Sequence, residues 1–177
     1  MTKVFIDGSA GTTGLQIRQR LAARADLEVL VLSETRRKDP AARKQALNSC
    51  DIAFLCLPDD AVRQAVSMVE NPALCVFDTS TAHRTAHGWV YGFPQLAPGQ
   101  PAAIATANRI AVPGCHASGL IALVRPLVKA GLLLKDSRLS CFSLTGYSGG
   151  GKKMIAQDEA QGQDTPLCAP RAYALGQ

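Results

Sequence analysis

The chain has 177 residues, of which 47% are hydrophobic and 19% charged, and it carries a formal net charge of +5. The length suits one full domain, or one domain and part of a second, and the composition is that of a globular protein, which excludes a disordered chain. No apolar run approaches the roughly 18 residues of a membrane-spanning helix, and the N-terminus turns into a glycine loop where a signal peptide would carry its apolar region; a cytoplasmic protein without a membrane partner is expected.

The first elements alternate. Residues 2–8, TKVFIDG, read as a strand that runs into the glycine turn GSAGTTG, residues 8–14. A helical stretch follows, with Leu15, Ile17, Leu21 and Ala22 on one side, and then a second strand at 28–33. Strand, glycine turn, helix and strand in this order make a dinucleotide-binding unit. Its glycines, at 8, 11 and 14, are a variant of the usual G-x-G-x-x-G spacing. Gly8 would make the tight turn, Gly11 would admit a pyrophosphate close to the backbone, and Gly14 would let the helix pack closely. The backbone of Gly8, Ser9, Ala10, Gly11, Thr12, Thr13 and Gly14 is thus the expected phosphate-binding turn, since the free amides at a helix start favour an anion.

The end of the second strand selects the cofactor. An acid there serves the ribose hydroxyl of NAD, whereas small or basic residues suit the extra phosphate of NADP. Ser33 stands at that end, with Arg36, Arg37 and Lys38 just beyond it and Glu34 as a competing acid. Three cations against one acid favour NADP. The positive excess is local, at 35–39, 42–44 and 151–153, and no aromatic residues alternate with it. This argues against a nucleic-acid footprint and for one phosphorylated small ligand.

The alternation continues with a helix end before residue 50, a strand at 51–57, a helix at about 59–69 and a strand at 73–80. Pro58 marks a turn, and Asp59 or Asp60 is placed to cap the helix. The fold class is α/β: a Rossmann-type parallel sheet with helices on both faces, followed by the start of an α+β catalytic domain. Ligands bind beyond the carboxyl ends of such strands, which places Leu57, Pro58 and Asp78 to Thr81 beside the glycine turn. A turn-rich loop at 79–100 contributes His83, Arg84, His87 and Trp89. His83 and His87 lack a third ligand nearby, so no metal site is expected.

Six cysteines show no C-x-x-C pair, which argues against a zinc or thioredoxin-type site. Cys56 and Cys75 sit in apolar runs as inert core thiols. Cys115 follows Pro113–Gly114 and opens an apolar helix reaching about residue 130. Two readings stand for it: a small buried hydrophobe, or a thiolate nucleophile at a helix start, where the reactive form is favoured. A strand ending in a glycine loop is expected at 138–154.

The motifs GSAGTTG, DTSTAHR, WVYGFPQL, VPGCHASG and GYSGGGKKM occur in one order over nearly the whole chain. Together they resemble the N-acetyl-γ-glutamyl-phosphate reductases of arginine biosynthesis, in the shorter of two subtypes. The resemblance implies NADPH-dependent reduction of an acyl phosphate to a semialdehyde through a cysteine thioester. It implies that Cys115 is the nucleophile, that Arg84 faces the anionic substrate N-acetylglutamyl phosphate, and that Ser148 and Gly149 lie in the glycine loop beside the nicotinamide. Ser80 and His116, neighbours of Arg84 and Cys115 in these motifs, are expected substrate contacts. It further implies an NADP-binding domain over 1–112, the opening part of a catalytic domain over 113–177, and a homo-oligomer at full length. Val112, His116, Ala117 and Ser118 depart from the family's commonest cysteine motif. None of His83, His87 and His116 matches the family's acid/base histidine, which identifies this chain with the N-terminal portion. The alternatives are an aspartate-semialdehyde dehydrogenase-like enzyme, an acetylaminoadipyl-phosphate reductase, or a non-catalytic NADP-binding module.

Overall fold

The computed structural model describes residues 1–145, 149 and 155–156. The chain divides into two compact units, Met1–Ser137 and Arg138–Gln177.

The first unit is built on one parallel sheet. Its elements are β1 (Thr2–Asp7), α1 (Thr12–Ala22), β2 (Leu27–Leu30), α2 (Pro40–Asn48), β3 (Ile52–Leu55), α3 (Asp59–Ser67), β4 (Cys75–Asp78), β5 (Val90–Tyr91), a 3₁₀ turn at Pro94–Leu96, α4 (Gln100–Thr106), β6 (Arg109–Ala111) and α5 (Cys115–Lys129). The strand order is β2-β1-β3-β4-β6-β5, and every pairing is parallel. The expected α/β alternation is therefore present. It is extended by β5 and β6, which fall where only a long loop and the approach to Cys115 are legible.

The strands are shorter than their apolar runs. β2 ends at Leu30 instead of residue 33, because its ladder with β1 closes at Phe5↔Leu30. β3 ends at Leu55 and β4 at Asp78, where the pairings Asp7↔Leu55 and Leu55↔Asp78 finish together. A strand is defined by its neighbour's hydrogen bonds, and hydrophobicity persists past the last of them. Ser33 accordingly lies three residues beyond its strand.

The core gathers Phe5, Leu47, Leu55, Val62, Leu74 and Val76, all fully buried or nearly so. On the same sheet the in-register pair Phe54 and Phe77 stack with ring centroids 5.0 Å apart, worth roughly 0.5–1.5 kcal/mol beyond area burial. The apolar side of α1 is buried only in part. Ile17 and Leu21 are half-buried, while Leu15 and Ala22 are exposed. α1 begins at Thr12, three residues before its apolar pattern, and only its Gly14 is buried.

α2 opens on Asp39, whose carboxylate accepts the Ala41 amide at 3.0 Å, with Pro40 in the first turn. α3 is different from expectation: Pro58 is its N-cap, and neither Asp59 nor Asp60 caps it. Asp59 is turned instead towards the segment after β4, where it accepts the Thr81 amide at 3.1 Å and the Thr81 hydroxyl at 2.5 Å. α5 carries Leu120, Leu123 and Leu127 exposed and has no buried residue. No helix among the described residues is long and apolar enough to cross a membrane.

In the second unit, residues 138–145 have no regular secondary structure, so the strand expected from 138 does not form there. Among the described residues no neighbouring strand supplies the hydrogen bonds it would need. The remainder of that expected strand, and Ser148, fall outside the described residues apart from Gly149.

Candidate functional site

The parallel sheet places the turns after β1, β3, β4 and β6 at one edge, which is where ligands enter such sheets. The turn after β1 is the most constrained. Gly8 has φ +84°, and a Cβ there would lie 2.2 Å from the Cys56 carbonyl oxygen beyond β3. A Cβ on Gly14 would lie 2.4 Å from the Gly8 carbonyl oxygen, so the start of α1 presses directly on the turn. The Gly11 amide closes the turn onto the Gly8 carbonyl at 3.0 Å, and Gly11 is the N-cap of α1 without a side-chain cap. The amides of Thr12, Thr13 and Gly14 thus begin a helix with no preceding carbonyl to bond.

Gly8→Ala should destabilise the fold by more than the roughly 1–2 kcal/mol of left-handed backbone strain alone, because the Cys56 carbonyl must also move. Gly88 supplies the control: its φ is +80°, with nothing within 4 Å of where an alanine methyl would stand. Urea unfolding of both alanine variants separates strain from collision. Equal losses would contradict the close approach at Gly8.

A cleft of about 180 Å³ opens beside this turn, lined by Gly8, Ser9, Ala10, Arg37, Lys38 and Leu57 among others. It unites residues from the ends of β1, β2 and β3. Arg37 also pairs with Glu34 at 2.8 Å, both exposed, so the acid that competes for a ribose is engaged by a cation. Ser33 is exposed and its hydroxyl lies 3.1 Å from that of Thr35. Gly11, Thr12, Thr13, Gly14, Ser33, Arg36 and Pro58 do not line the cleft, whereas Lys38, the third cation after Ser33, does.

Beneath the turn lies a buried ion pair that the sequence did not disclose. Asp7, the last residue of β1, receives Arg43 of α2 through Nε at 3.0 Å and Nη2 at 2.9 Å. Arg43 also donates to Gln64 Oε1 at 3.3 Å and to the Ala61 carbonyl at 3.4 Å. Burial pushes the Asp7 carboxyl up, with the Arg43 guanidinium and the Gly8 amide opposing it.

The second group of candidates lies after β4 and β6. Cys115 is the first residue of α5, exposed, with Gly114 as N-cap. Arg84 is folded onto that cap: a Cβ on Gly114 would lie 2.7 Å from Arg84 Nη1. Arg84 and Cys115, expected separately as a substrate contact and a nucleophile, thus lie in one neighbourhood. His116 is half-buried in the first turn of α5. Ser80 is buried, its amide donating to Asp78 and its hydroxyl accepting the Ala82 amide at 3.1 Å, so it serves the loop's own structure. His87 is exposed. Cys50, Cys56 and Cys75 are less exposed than Cys115. Burial pushes both Cys50 and Cys56 up to about 11, and raises Cys75. Gly149, in the second unit, packs so close to Thr145 that a Cβ would lie 2.2 Å from its hydroxyl. No group of three His, Cys, Asp or Glu side chains among the described residues could hold a metal ion.

The parallel sheet, the left-handed glycine turn and the cleft beside it are those of a Rossmann-type dinucleotide-binding domain. The family model described as semialdehyde dehydrogenase, NAD binding domain, matches residues 3–106, and the chain belongs to that family. It is 54% identical to a protein of Chelativorans sp. named N-acetyl-γ-glutamyl-phosphate reductase, over 98% of this chain and 56% of that one. A protein of the same name from Burkholderia cenocepacia is 51% identical over 97% of this chain and 55% of that one. The chain therefore spans about half the length of the curated relatives it matches. In fold it is similar to aspartate semialdehyde dehydrogenase from Francisella tularensis, with TM-score 0.63 and 17% identity over 95% of this chain and 53% of that one. The corresponding values for the Vibrio cholerae enzyme II are 0.61, 17%, 91% and 51%.

Proposed function

We propose that this chain is the cofactor-binding and nucleophile-bearing part of an NADPH-dependent N-acetyl-γ-glutamyl-phosphate reductase. The observation that carries the reading is the exposed Cys115 at the start of α5, with the Arg84 guanidinium against the preceding residue. A thiolate is a good nucleophile towards an acyl phosphate. Cys115 Sγ forms a bond to the acyl carbon and the bond to the phosphate oxygen breaks, so inorganic phosphate leaves and a thioester remains. The amides at the start of α5 can stabilise the oxyanion that develops in that attack. Arg84, through its planar fork, suits the anionic groups of the substrate.

The cleft beside the glycine turn fits a dinucleotide phosphate, because it joins the backbone of Gly8, Ser9 and Ala10, which leads into the uncapped start of α1, to two cations. Gly8 to Gly14 would hold the pyrophosphate, and Arg37 and Lys38 the ribose phosphate of NADP. When bound, NADPH supplies the hydride that reduces the acyl group to the semialdehyde. In this reading residues 1–112 are the NADP-binding domain, 113–177 open the catalytic domain, and Ser148 and Gly149 belong to the nicotinamide end. The whole enzyme is then a cytoplasmic homo-oligomer of arginine biosynthesis.

Arg37→Ala should weaken NADPH binding about tenfold, a modest loss for a charge-assisted bond because the residue is exposed. NADH binding should change little, and Arg36→Ala should do less than Arg37→Ala. Fluorescence titration with both cofactors checks this, and equal losses for the two would remove the cluster from cofactor selection. The activity itself is tested in a protein of the relatives' full length carrying this sequence. NADPH oxidation should follow addition of N-acetyl-γ-glutamyl phosphate. Faster oxidation with β-aspartyl phosphate would assign the other acyl-phosphate chemistry.

A further inference from the structure

Asp78 and His83 lie outside the cofactor cleft, and neither has a role in the reaction as derived above. Asp78 closes β4 and is fully buried. Its Oδ1 accepts the Ser80 amide at 2.7 Å, and its Oδ2 lies 2.8 Å from His83 Nδ1. The His83 ring stacks on Trp89, with centroids 4.2 Å apart and planes 10° from parallel. Trp89 directly precedes β5, so one imidazole joins the start of the 79–89 loop to its end. His83 retains only 13% of its side-chain exposure in this arrangement.

Arg84 is the next residue. Its backbone is held loosely, by an amide bond to the Thr81 carbonyl at 3.5 Å. Its Nε is buried without a hydrogen-bond partner among the described residues, while Nη1 and Nη2 lie 2.7 Å and 2.9 Å from where a Gly114 Cβ would stand. A long guanidinium side chain has many rotamers and loses that freedom when it is held in one place. Few bonds of its own fix Arg84, whereas its neighbour is fixed on both sides.

We propose that His83 is a positioning residue: clamped between Asp78 and Trp89, it holds Arg84 on the Gly114–Cys115 turn and so sets a positive charge beside the thiol. Asp78 fixes the ring's tautomer by accepting from Nδ1–H, and Trp89 fixes its plane. The proposal rests on the reading of Cys115 as the reactive thiol with Arg84 as its cationic neighbour.

Two alkylating reagents of different charge test it. The rate of Cys115 modification by anionic iodoacetate, divided by that with neutral iodoacetamide, reports the local charge; exposed Cys141 is the internal reference. At low ionic strength, Arg84→Ala should lower the ratio at Cys115 roughly three- to tenfold, the scale expected for one charge a few ångströms away in a wet site. His83→Ala should bring most of the same fall, although it leaves the arginine in place. His83→Asn, whose amide nitrogen stands where Nδ1 stood, keeps the bond to Asp78 and should restore part of the ratio. A fall with Arg84→Ala but a wild-type ratio with His83→Ala overturns the clamp. A wild-type ratio with Arg84→Ala overturns it too, and shows that the Arg84–Cys115 reading is what failed. Loss of cooperative unfolding in both His83 variants would make the histidine a support of the fold and overturn the proposal as well.

Discussion

Arg43→Met should lower the free energy of unfolding by about 3–5 kcal/mol, the cost of breaking a buried ion pair from one side. Side-chain exposure at the pair is 8% for Arg43 and 4% for Asp7, so water replaces little of what is lost. The variant leaves Asp7 desolvated, with its opposing cation gone, and its carboxyl is then pushed up further. A carboxyl whose folded pKa exceeds its unfolded value binds more protons in the folded state, so stability falls as pH rises through that range. The deficit should accordingly be larger at neutral pH than in mild acid. The double variant Asp7→Asn, Arg43→Met removes the stranded charge and should regain part of the loss. Urea unfolding at two pH values reads all of this. A deficit below about 1 kcal/mol, the scale of exposed pairs, would show that the pair contributes no more than a surface contact.

Arg43 also shows where sequence reasoning stopped. In ARK, residues 42–44, it reads as part of the local positive excess that suits a phosphorylated ligand, yet α2 turns it inward onto a residue 36 positions away. Only the tertiary pairing distinguishes it from Lys44, which is exposed and reaches Glu70 at 2.5 Å. The start of α2 is marked in the sequence itself, since Asp39 followed by Pro40 is a helix-start signal. By contrast, the glycine turn was readable because its constraint is local: a left-handed Gly8 at the end of an apolar run requires only its immediate neighbours. Strand ends were overextended because hydrophobicity does not mark the last paired residue. In the sequence His83 reads as a candidate metal ligand or acid/base and not as a clamp, because its partner Asp78 is close in sequence but its stack on Trp89 depends on how the loop closes.

Cys115 should be the fastest thiol of the described five to react with iodoacetamide at neutral pH. Cys50 and Cys56 are held at about 11 by burial, which leaves on the order of one thiolate in 10⁴. Cys75 is raised in the same sense. Cys141 is exposed like Cys115 but does not open a helix, and helix-start amides favour a negative charge by about 0.3–1 kcal/mol. Cys115 should therefore lead Cys141 by a factor of about two to five. Cys115→Ser should leave NADPH affinity unchanged, since the glycine turn follows β1 and Cys115 follows β6, and it should reduce semialdehyde formation in the full-length protein to the uncatalysed level. Peptide mapping after a brief pulse reads the order. A slow Cys115 in a folded, cofactor-binding chain would make it an ordinary exposed thiol without activation by the helix start.

The most direct test of Cys115 as the acyl acceptor is to trap the acyl group. The chain is mixed with N-acetyl-γ-glutamyl phosphate without NADPH, quenched in acid and digested, and its cysteine peptides are weighed. With no hydride available, the thioester accumulates. Up to one N-acetylglutamyl group per chain should be found on the Cys115 peptide, removable by hydroxylamine and matched by released phosphate. No adduct on Cys115, or equal adduct on Cys141, would contradict the account.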